Sequence, residues 1–144
     1  MRYLDTSCLV SLYFHESRTQ PVAQFLGEGS SVLAITALQE AETTNAFFLK
    51  VHRREAELGK ATTALEAFRS DIESGVFRRI SVSWPASFSE VTRLAKKYSL
   101  ETGTRTLDLL HIAAALTVGA TDFITGDSRQ AEAARGEKLT VKLL

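Results

Sequence analysis

Residues 106–127 read TLDLLHIAAALTVGATDFITGD, and their pattern is the clearest indication of the fold class. Leucine and alanine dominate its first part, which predicts a helix over 106–118 that ends at Gly119. The segment 122–125 that follows predicts a short apolar strand, closed by Gly126 and Asp127. A helix followed directly by a buried strand is typical of sheets whose strands run parallel.

The rest of the chain repeats this alternation. Short apolar strands are predicted over 2–4, 31–35, 79–83 and 139–143. The first strand ends at Asp5-Thr6-Ser7, and a helical run is predicted after it, through Leu9 and Leu12 to Tyr13. Further helices are predicted over 21–26 (closed by Gly27-Glu28-Gly29), 37–52 (capped by Thr36), 60–74, 88–98 and 128–135, with Trp84-Pro85 opening a loop. We therefore predict one α/β domain over residues 1–144. Its architecture is a three-layer α/β/α sandwich around a mostly parallel sheet of about five strands.

Composition and charge exclude several classes of protein. The 144 residues are 44% hydrophobic and 24% charged, which is typical of a globular chain. Seventeen basic residues balance seventeen acidic ones, so a generally basic coat for nucleic acid is excluded. The single cysteine, Cys8, cannot form an internal disulfide and is expected in the core. Because the sequence has neither an apolar run of about 18 residues nor a signal-peptide pattern, we expect a cytoplasmic protein without membrane contact.

Four acidic residues occupy positions that a parallel sheet brings to one place. Asp5 and Asp127 each follow a predicted strand, and Asp108 lies in the first turn of the 106–118 helix. Glu42 interrupts the apolar stripe that the 37–52 helix is expected to turn inward. Carboxylates about 5 Å apart repel by roughly 3 kcal/mol at an effective dielectric of about 20, so a shared site requires protonation or a cation. Mg²⁺ or Mn²⁺ is the natural choice, although each aspartate taken singly is also consistent with a helix cap.

Side chains beside these acids extend the candidate site. Thr6, Ser7 and Thr125 offer hydroxyls either to a phosphate or metal-bound water, or to local turn and cap bonds. Arg105 and Arg129 flank two of the acids, where they would contact substrate phosphates or form ion pairs with those acids.

The histidines show no metal-binding pattern. His15 and His52 lack ligand spacing. His111 lies one helical turn after Asp108, and we interpret it as a histidine packed near the core.

Four blocks, in this order along the chain, resemble the PIN-domain nucleases, and most closely the VapC-type toxins of toxin–antitoxin pairs. The blocks are 4–7 (LDTS), 42–46 (ETTNA), 105–113 (RTLDLLHIA) and 124–127 (ITGD). The resemblance implies a metal-dependent endoribonuclease that hydrolyses RNA phosphodiester bonds with Mg²⁺ or Mn²⁺. Its acidic site would comprise Asp5, Glu42, Asp108 and Asp127. The resemblance also implies an α/β/α fold, a homodimer, and a small antitoxin protein that covers or enters the site.

Three alternatives stay open. Glu40, two residues before Glu42, could carry the family's helix acid, although Asn45 and Ala46 follow Glu42 at the family's spacing. An aspartyl-phosphate phosphatase also has an Asp after its first strand, but Ser7 stands where that chemistry places a second acid. A non-catalytic binding module would carry the same acids only as helix caps, and it would show no saturable stabilisation by Mg²⁺ or Mn²⁺.

Overall fold

The strands form one sheet in which every pairing is parallel. The computed structural model describes residues 1–14, 17–28 and 31–144, so that His15 and Gly29 lie outside the described ranges. In the spatial order β3-β2-β1-β4-β5, the strands are β1 (Arg2–Leu4), β2 (Leu33–Ile35), β3 (Phe77–Arg79), β4 (Asp122–Thr125) and β5 (Thr140–Leu143). Because all are parallel, their carboxyl ends meet at one edge. We call this the carboxyl edge, and it carries Asp5, Thr36, Ile80, Gly126 and Leu144.

Helices connect the strands and cover both faces of the sheet. They are α1 (Thr6–Tyr13), α2 (Thr19–Gly27), α3 (Ala37–His52), α4 (Leu58–Glu73), α5 (Trp84–Leu94), α6 (Leu100–Thr102), α7 (Thr106–Thr117) and α8 (Ser128–Gly136). A π-helical turn at Ala95–Ser99 joins α5 to α6. In the ranges that the structure describes, no helix has both the length and the apolar character needed to cross a bilayer.

Alternating strand residues build a separate core on each face of the sheet. Tyr3 and Phe123 stack with ring centroids 5.8 Å apart and pack with residues of α5, α7 and α8. Leu4 and Ile124 point the other way and pack with residues of α1, α3 and α4. The buried, two-sided strands confirm the predicted α/β/α sandwich, and Cys8 is buried in the second core as expected.

The third strand and the segment after it differ from the sequence prediction. The strand β3 begins at Phe77 rather than at residue 79, because the Phe77 ring is buried against Phe68 of α4, with ring centroids 6.1 Å apart. The predicted loop at Trp84-Pro85 is instead the start of α5. Proline is compatible with this position because the N–H groups in the first turn of a helix have no intrahelical acceptor, so the absence of an N–H in proline costs no hydrogen bond.

The inward face of α3 is rotated by about one residue from the predicted stripe. Gln39, Thr43 and Phe47 are fully buried, whereas Asn45 is exposed. The Gln39 amide donates to the Leu4 carbonyl oxygen over 2.7 Å, which ties α3 to the end of β1. Gln39 is buried on this face because its side chain hydrogen-bonds at the carboxyl edge, and a search for apolar periodicity misses such a residue.

Candidate functional site

Asp5 and Asp127 lie at the carboxyl edge because β1 and β4 are paired neighbours. Leu4 is in register with Ile124, and the Asp5 N–H donates to the Ile124 carbonyl oxygen over 2.7 Å. Asp127 follows two residues after the end of β4 at Thr125. Residues separated by more than a hundred positions are thus brought together by the sheet register.

Asp5 is buried and held by three donors. It caps α1, and its Oδ2 accepts from the backbone N–H of Ser7 over 3.1 Å and from the Ser7 hydroxyl over 2.6 Å. Its Oδ1 accepts from the Gln130 amide over 3.3 Å. The cap proposed as the simpler role for Asp5 is therefore present, and it fixes the carboxylate in place.

Asp108 is linked to Asp5 through Gln130. The same Gln130 amide nitrogen donates to the main-chain oxygen of Asp108 over 3.1 Å. Burial raises the pKa of the Asp108 carboxyl; the backbone N–H of Arg105, 3.1 Å from Oδ2, opposes that shift, and the charges of Asp127 and Asp5 add to it. The pKa of Asp108 is therefore raised chiefly by burial, with a smaller contribution from its two acidic neighbours.

Asp127 forms an ion pair with Arg129. Its carboxylate caps α8 by accepting from the backbone N–H groups of Arg129 and Gln130, over 2.8 and 3.3 Å. The Arg129 guanidinium also donates to Oδ2 over 2.8 Å. This side-chain bond is the main reason that the pKa of Asp127 is lowered.

Glu42 contacts the start of α1 and a buried histidine. Its Oε2 accepts from the Thr6 hydroxyl over 2.8 Å and is hydrogen-bonded to Nε2 of His111. The other ring nitrogen of His111 lies 3.0 Å from the Tyr3 hydroxyl, and Nε2 lies 3.8 Å from Oδ1 of Asp5. The two acids therefore share one histidine neighbour.

The charges of Glu42 and His111 stabilise each other. Burial alone raises the pKa of Glu42, but hydrogen bonds from His111 and Thr6 outweigh it and lower the pKa. Burial likewise disfavours the charged imidazole of His111, but the bond to Glu42 and the charge of Asp5 raise its pKa. The arrangement favours a carboxylate–imidazolium pair.

Glu40 lies away from this cluster. Both of its carboxylate oxygens accept from the Arg79 guanidinium, over 2.9 and 3.2 Å, in an exposed ion pair. Of the two helix acids, only Glu42 contacts residues at the start of α1.

The remaining predicted site residues divide into two groups. Thr6 and Ser7 bond to the acids, and Arg129 pairs with one of them. Thr125 is fully buried, and its hydroxyl donates to the Gln130 side chain and accepts from the Asp127 N–H, which is the local turn role. Arg105 is exposed, and its backbone N–H holds Asp108.

Three residues of this region were not predicted as part of the site. His111 was placed in the core, and it is 2% exposed, but its spacing of one turn from Asp108 also brings it to Glu42. Gln130 links Asp5 to Asp108, and its only sequence signal is its place one turn after Asp127. Arg18 packs its guanidinium on Gly126, where an added Cβ would lie 2.6 Å from Nη1.

The site fits a divalent cation in charge and in donor type. Carboxylate oxygens are the ligands that Mg²⁺ and Mn²⁺ prefer, and Asp5, Asp108 and Asp127 supply them at this edge. As the side chains stand, no three His, Cys, Asp or Glu groups within 1–14, 17–28 and 31–144 form a ligand set. Protein donors occupy the carboxylates instead, since Ser7 and Arg129 hold Asp5 and Asp127. A cation would have to compete with those donors.

The chain belongs to the PIN domain family, which it matches over residues 2–136. This agrees with the resemblance carried by the four sequence blocks. No curated protein matches the chain in sequence.

Solved structures share the fold at low sequence identity. VapC20 of Mycobacterium tuberculosis, described as a sarcin-ricin loop cleaving toxin, is 17% identical over 92% of this chain and 95% of that one, with a TM-score of 0.68. FitAcB of Neisseria gonorrhoeae is 16% identical over 98% and 96%, with a TM-score of 0.69. VapBC2 of Rickettsia felis, solved bound to a DNA fragment from its promoter, is 17% identical over 100% and 99%, with a TM-score of 0.67.

Proposed function

We propose that this protein is a metal-dependent endoribonuclease that hydrolyses RNA phosphodiester bonds, and that it is the toxin of a toxin–antitoxin pair. The observation that supports the nuclease proposal is the arrangement of three acids around Gln130 at the carboxyl edge: its amide donates to the Asp5 carboxylate and to the main chain of Asp108, and its backbone N–H donates to Asp127. Helix capping explains each aspartate taken singly. It gives no reason for three acidic residues to lie where their charges repel one another.

The residues of the site have distinct proposed roles. Asp5, Asp108 and Asp127 would hold Mg²⁺ or Mn²⁺, and Glu42 would complete the ligand set or orient the attacking water. A bound dication would activate that water and offset the charge that develops on the phosphate. Ser7 fixes the Asp5 carboxylate by its hydroxyl bond.

Other residues position the acids or meet the substrate. Thr6 and His111 both bond to Oε2 of Glu42 and so restrict its orientation. Arg129 and Arg105 are exposed and carry positive charge at the rim, where a phosphate would replace or share Asp127 as the partner of Arg129. Thr125 supports the site indirectly, because its buried hydroxyl orients Gln130.

The partners follow from the solved relatives. Two of them are VapC and VapBC proteins, so we propose that a small antitoxin covers the site and that the protein acts in the cytoplasm. We also propose a homodimer. The 40% exposed Phe48 on α3 is available to such an interface, and light scattering of the purified protein would measure its mass.

The test of the nuclease proposal is cleavage of RNA by the purified protein with and without a chelator. We expect cleavage that EDTA stops and that added Mg²⁺ or Mn²⁺ restores. Asp5→Asn should abolish cleavage while it spares or raises the melting temperature in metal-free buffer, because it relieves repulsion. Cleavage that persists in EDTA, or in Asp5→Asn, would contradict the proposal.

A matched control comes from the opposite end of β4. Asp122 is the first residue of that strand and accepts from the neighbouring Thr121 hydroxyl over 2.6 Å, away from the carboxyl edge. Asp122→Asn should therefore cleave RNA as the parent does. If neither metal stabilises the parent protein, its acids are only helix caps and the protein is a non-catalytic binding module.

A further inference from the structure

A cleft between α1 and α3 opens beside the acidic site. Its volume is about 320 Å³, and it is lined by Thr6, Ser7, Val10, Arg18, Ala46, Leu49, Lys50 and Arg53. Thr6 bonds to Glu42 and Ser7 bonds to Asp5, so the cleft shares two residues with the acidic site. Nothing in the proposed catalytic roles uses the rest of this cleft.

The α3 side of the cleft continues the helix face that carries Glu42. Ala46 lies four residues after Glu42, Leu49 and Lys50 lie three and four residues after Ala46, and Arg53 lies three after Lys50, which places them on one face. At about 1.5 Å per residue, Arg53 lies roughly 16 Å along the helix from Glu42. The small side chain of Ala46 stands between the acid and the two cations, so the cleft runs from the acidic site toward positive charge.

Arg18 places a third cation where the cleft meets the acidic site. Its guanidinium packs directly on the backbone of Gly126, since a Cβ there would lie within 2.6 to 3.0 Å of three guanidinium atoms. Gly126 is the residue before Asp127. Arg18 therefore touches the loop of the acidic site and lines the cleft at the same time.

We propose that this cleft holds the phosphate backbone of the RNA strand next to the bond that is cut, with Arg18, Lys50 and Arg53 as its cations. The inference rests on the proposed nuclease function and extends it to specific binding residues. Arg18 would meet the phosphate nearest the acidic site, and Lys50 and Arg53 would meet those further along the strand. A chain whose basic and acidic residues balance must concentrate positive charge locally to bind RNA, and this cleft does so.

The test measures binding separately from cleavage. In the Asp5→Asn background, a fluorescently labelled single-stranded RNA oligonucleotide is titrated with protein at several salt concentrations in Mg²⁺. We expect Arg18→Gln and Arg53→Gln each to weaken binding about three- to tenfold at low salt. Each should also reduce the slope of log affinity against log salt by about 0.7, the value for one phosphate contact on a single strand.

The matched control is Arg69→Gln, which removes an exposed arginine of α4 that does not line the cleft. It should bind RNA as its parent does. If Arg18→Gln and Arg53→Gln behave like Arg69→Gln, the proposal is wrong. If they weaken binding of polyglutamate but leave RNA binding unchanged, the cleft binds an acidic protein segment and the proposal is again wrong.

Kinetics in the active protein distinguish failure of this proposal from failure of the nuclease proposal. Arg53→Gln should raise KM about three- to tenfold with kcat retained, because Arg53 binds the substrate equally in the ground and transition states. If Arg53→Gln cleaves RNA with an unchanged KM, the cleft proposal is wrong and the nuclease proposal stands. If the parent protein cleaves no RNA, but Arg18→Gln and Arg53→Gln still reduce the slope of log affinity against log salt, the result would support the cleft proposal and refute the nuclease proposal.

Discussion

Two carboxylates, Asp108 at the carboxyl edge and Glu137 at the end of α8, have pKa values shifted in opposite directions. Glu137 accepts hydrogen bonds from Arg93, Lys97 and Tyr98. Burial alone would raise its pKa, but these bonds lower the pKa to about 2. At the carboxyl edge, the pKa of Asp108 is instead raised by burial and by the charges of two other aspartates.

The opposite pKa shifts of Glu137 and Asp108 distinguish a carboxylate that stabilises the fold from one whose charge remains available to a ligand. A carboxylate bonded to two cations, as Glu137 is, stabilises the fold and would have to give up those bonds to bind a metal ion. Carboxylates that repel each other destabilise the protein slightly until a cation arrives. By this criterion Glu137 belongs to the scaffold, whereas the raised pKa of Asp108 is consistent with the proposed binding site.

The largest effect should come from removing the charge of Asp108. Asp108→Asn keeps an oxygen that can accept from the Arg105 N–H but removes one of the repelling charges. We expect cleavage to fall by about two orders of magnitude or more, as for lost transition-state stabilisation. In metal-free buffer the melting temperature should hold or rise, and stabilisation by Mg²⁺ should disappear. Undiminished stabilisation by Mg²⁺ in this variant, measured by thermal melts, would mean that the metal binds elsewhere.

The second effect concerns His111, which joins the acidic site to the scaffold. His111→Ala removes partners from the Tyr3 hydroxyl and Glu42 in a buried position, so it should cost about 2–4 kcal/mol of unfolding free energy. Urea unfolding gives the value. His52→Ala is the control, because His52 is exposed at the end of α3 and should cost less than about 0.5 kcal/mol. Similar losses in both variants would argue against a structural role for the His111 network.

The fold was largely predictable because its signals are local. The strand Asp122–Thr125 and the capping of α3 by Thr36 appear in the structure where the sequence places them. The start of β3 was not predictable, because the burial of Phe77 against Phe68 depends on a helix packed in three dimensions. Tertiary packing thus decides the boundaries that local propensity leaves open.

The candidate site was only partly predictable for the same reason. Asp5 and Asp127 could be placed from the rule that parallel strands end at one edge. The bonds that hold them could not, because Gln130 meets Asp5 across 125 positions and His111 meets Glu42 across 69. Such contacts depend on side-chain rotamers and on the register of α7 and α8 against the sheet.

A smaller effect is expected at Glu137. Because its pKa in the folded protein lies below the ordinary value of 4.5, its contribution to stability is present above about pH 4.5 and is lost as the pH falls toward 2. Glu137→Gln should therefore lower the unfolding free energy at pH 7 by about 1–2 kcal/mol, since its partners Arg93 and Lys97 are about half exposed and screened by solvent. The variant should also lose less stability than the parent between pH 4.5 and 2. Glu132→Gln, at an exposed position of α8, is the control. Equal acid sensitivity of parent and Glu137→Gln would contradict the assignment.

The smallest effect is expected at Glu40, and it separates the two helix acids. Glu40 forms an exposed ion pair with Arg79, so Glu40→Gln should shift the melting temperature by no more than about 2 °C and change cleavage less than about twofold. Glu42→Gln should reduce cleavage by about tenfold or more, because it removes a charge held beside Asp5 by Thr6 and His111. The two substitutions are chemically identical and lie two residues apart on α3, so helix propensity and net charge change equally. The opposite result, with Glu40→Gln inactive and Glu42→Gln active, would assign the family's helix acid to Glu40. It would also mean that the His111 pair belongs to the scaffold, as the cluster around Glu137 does.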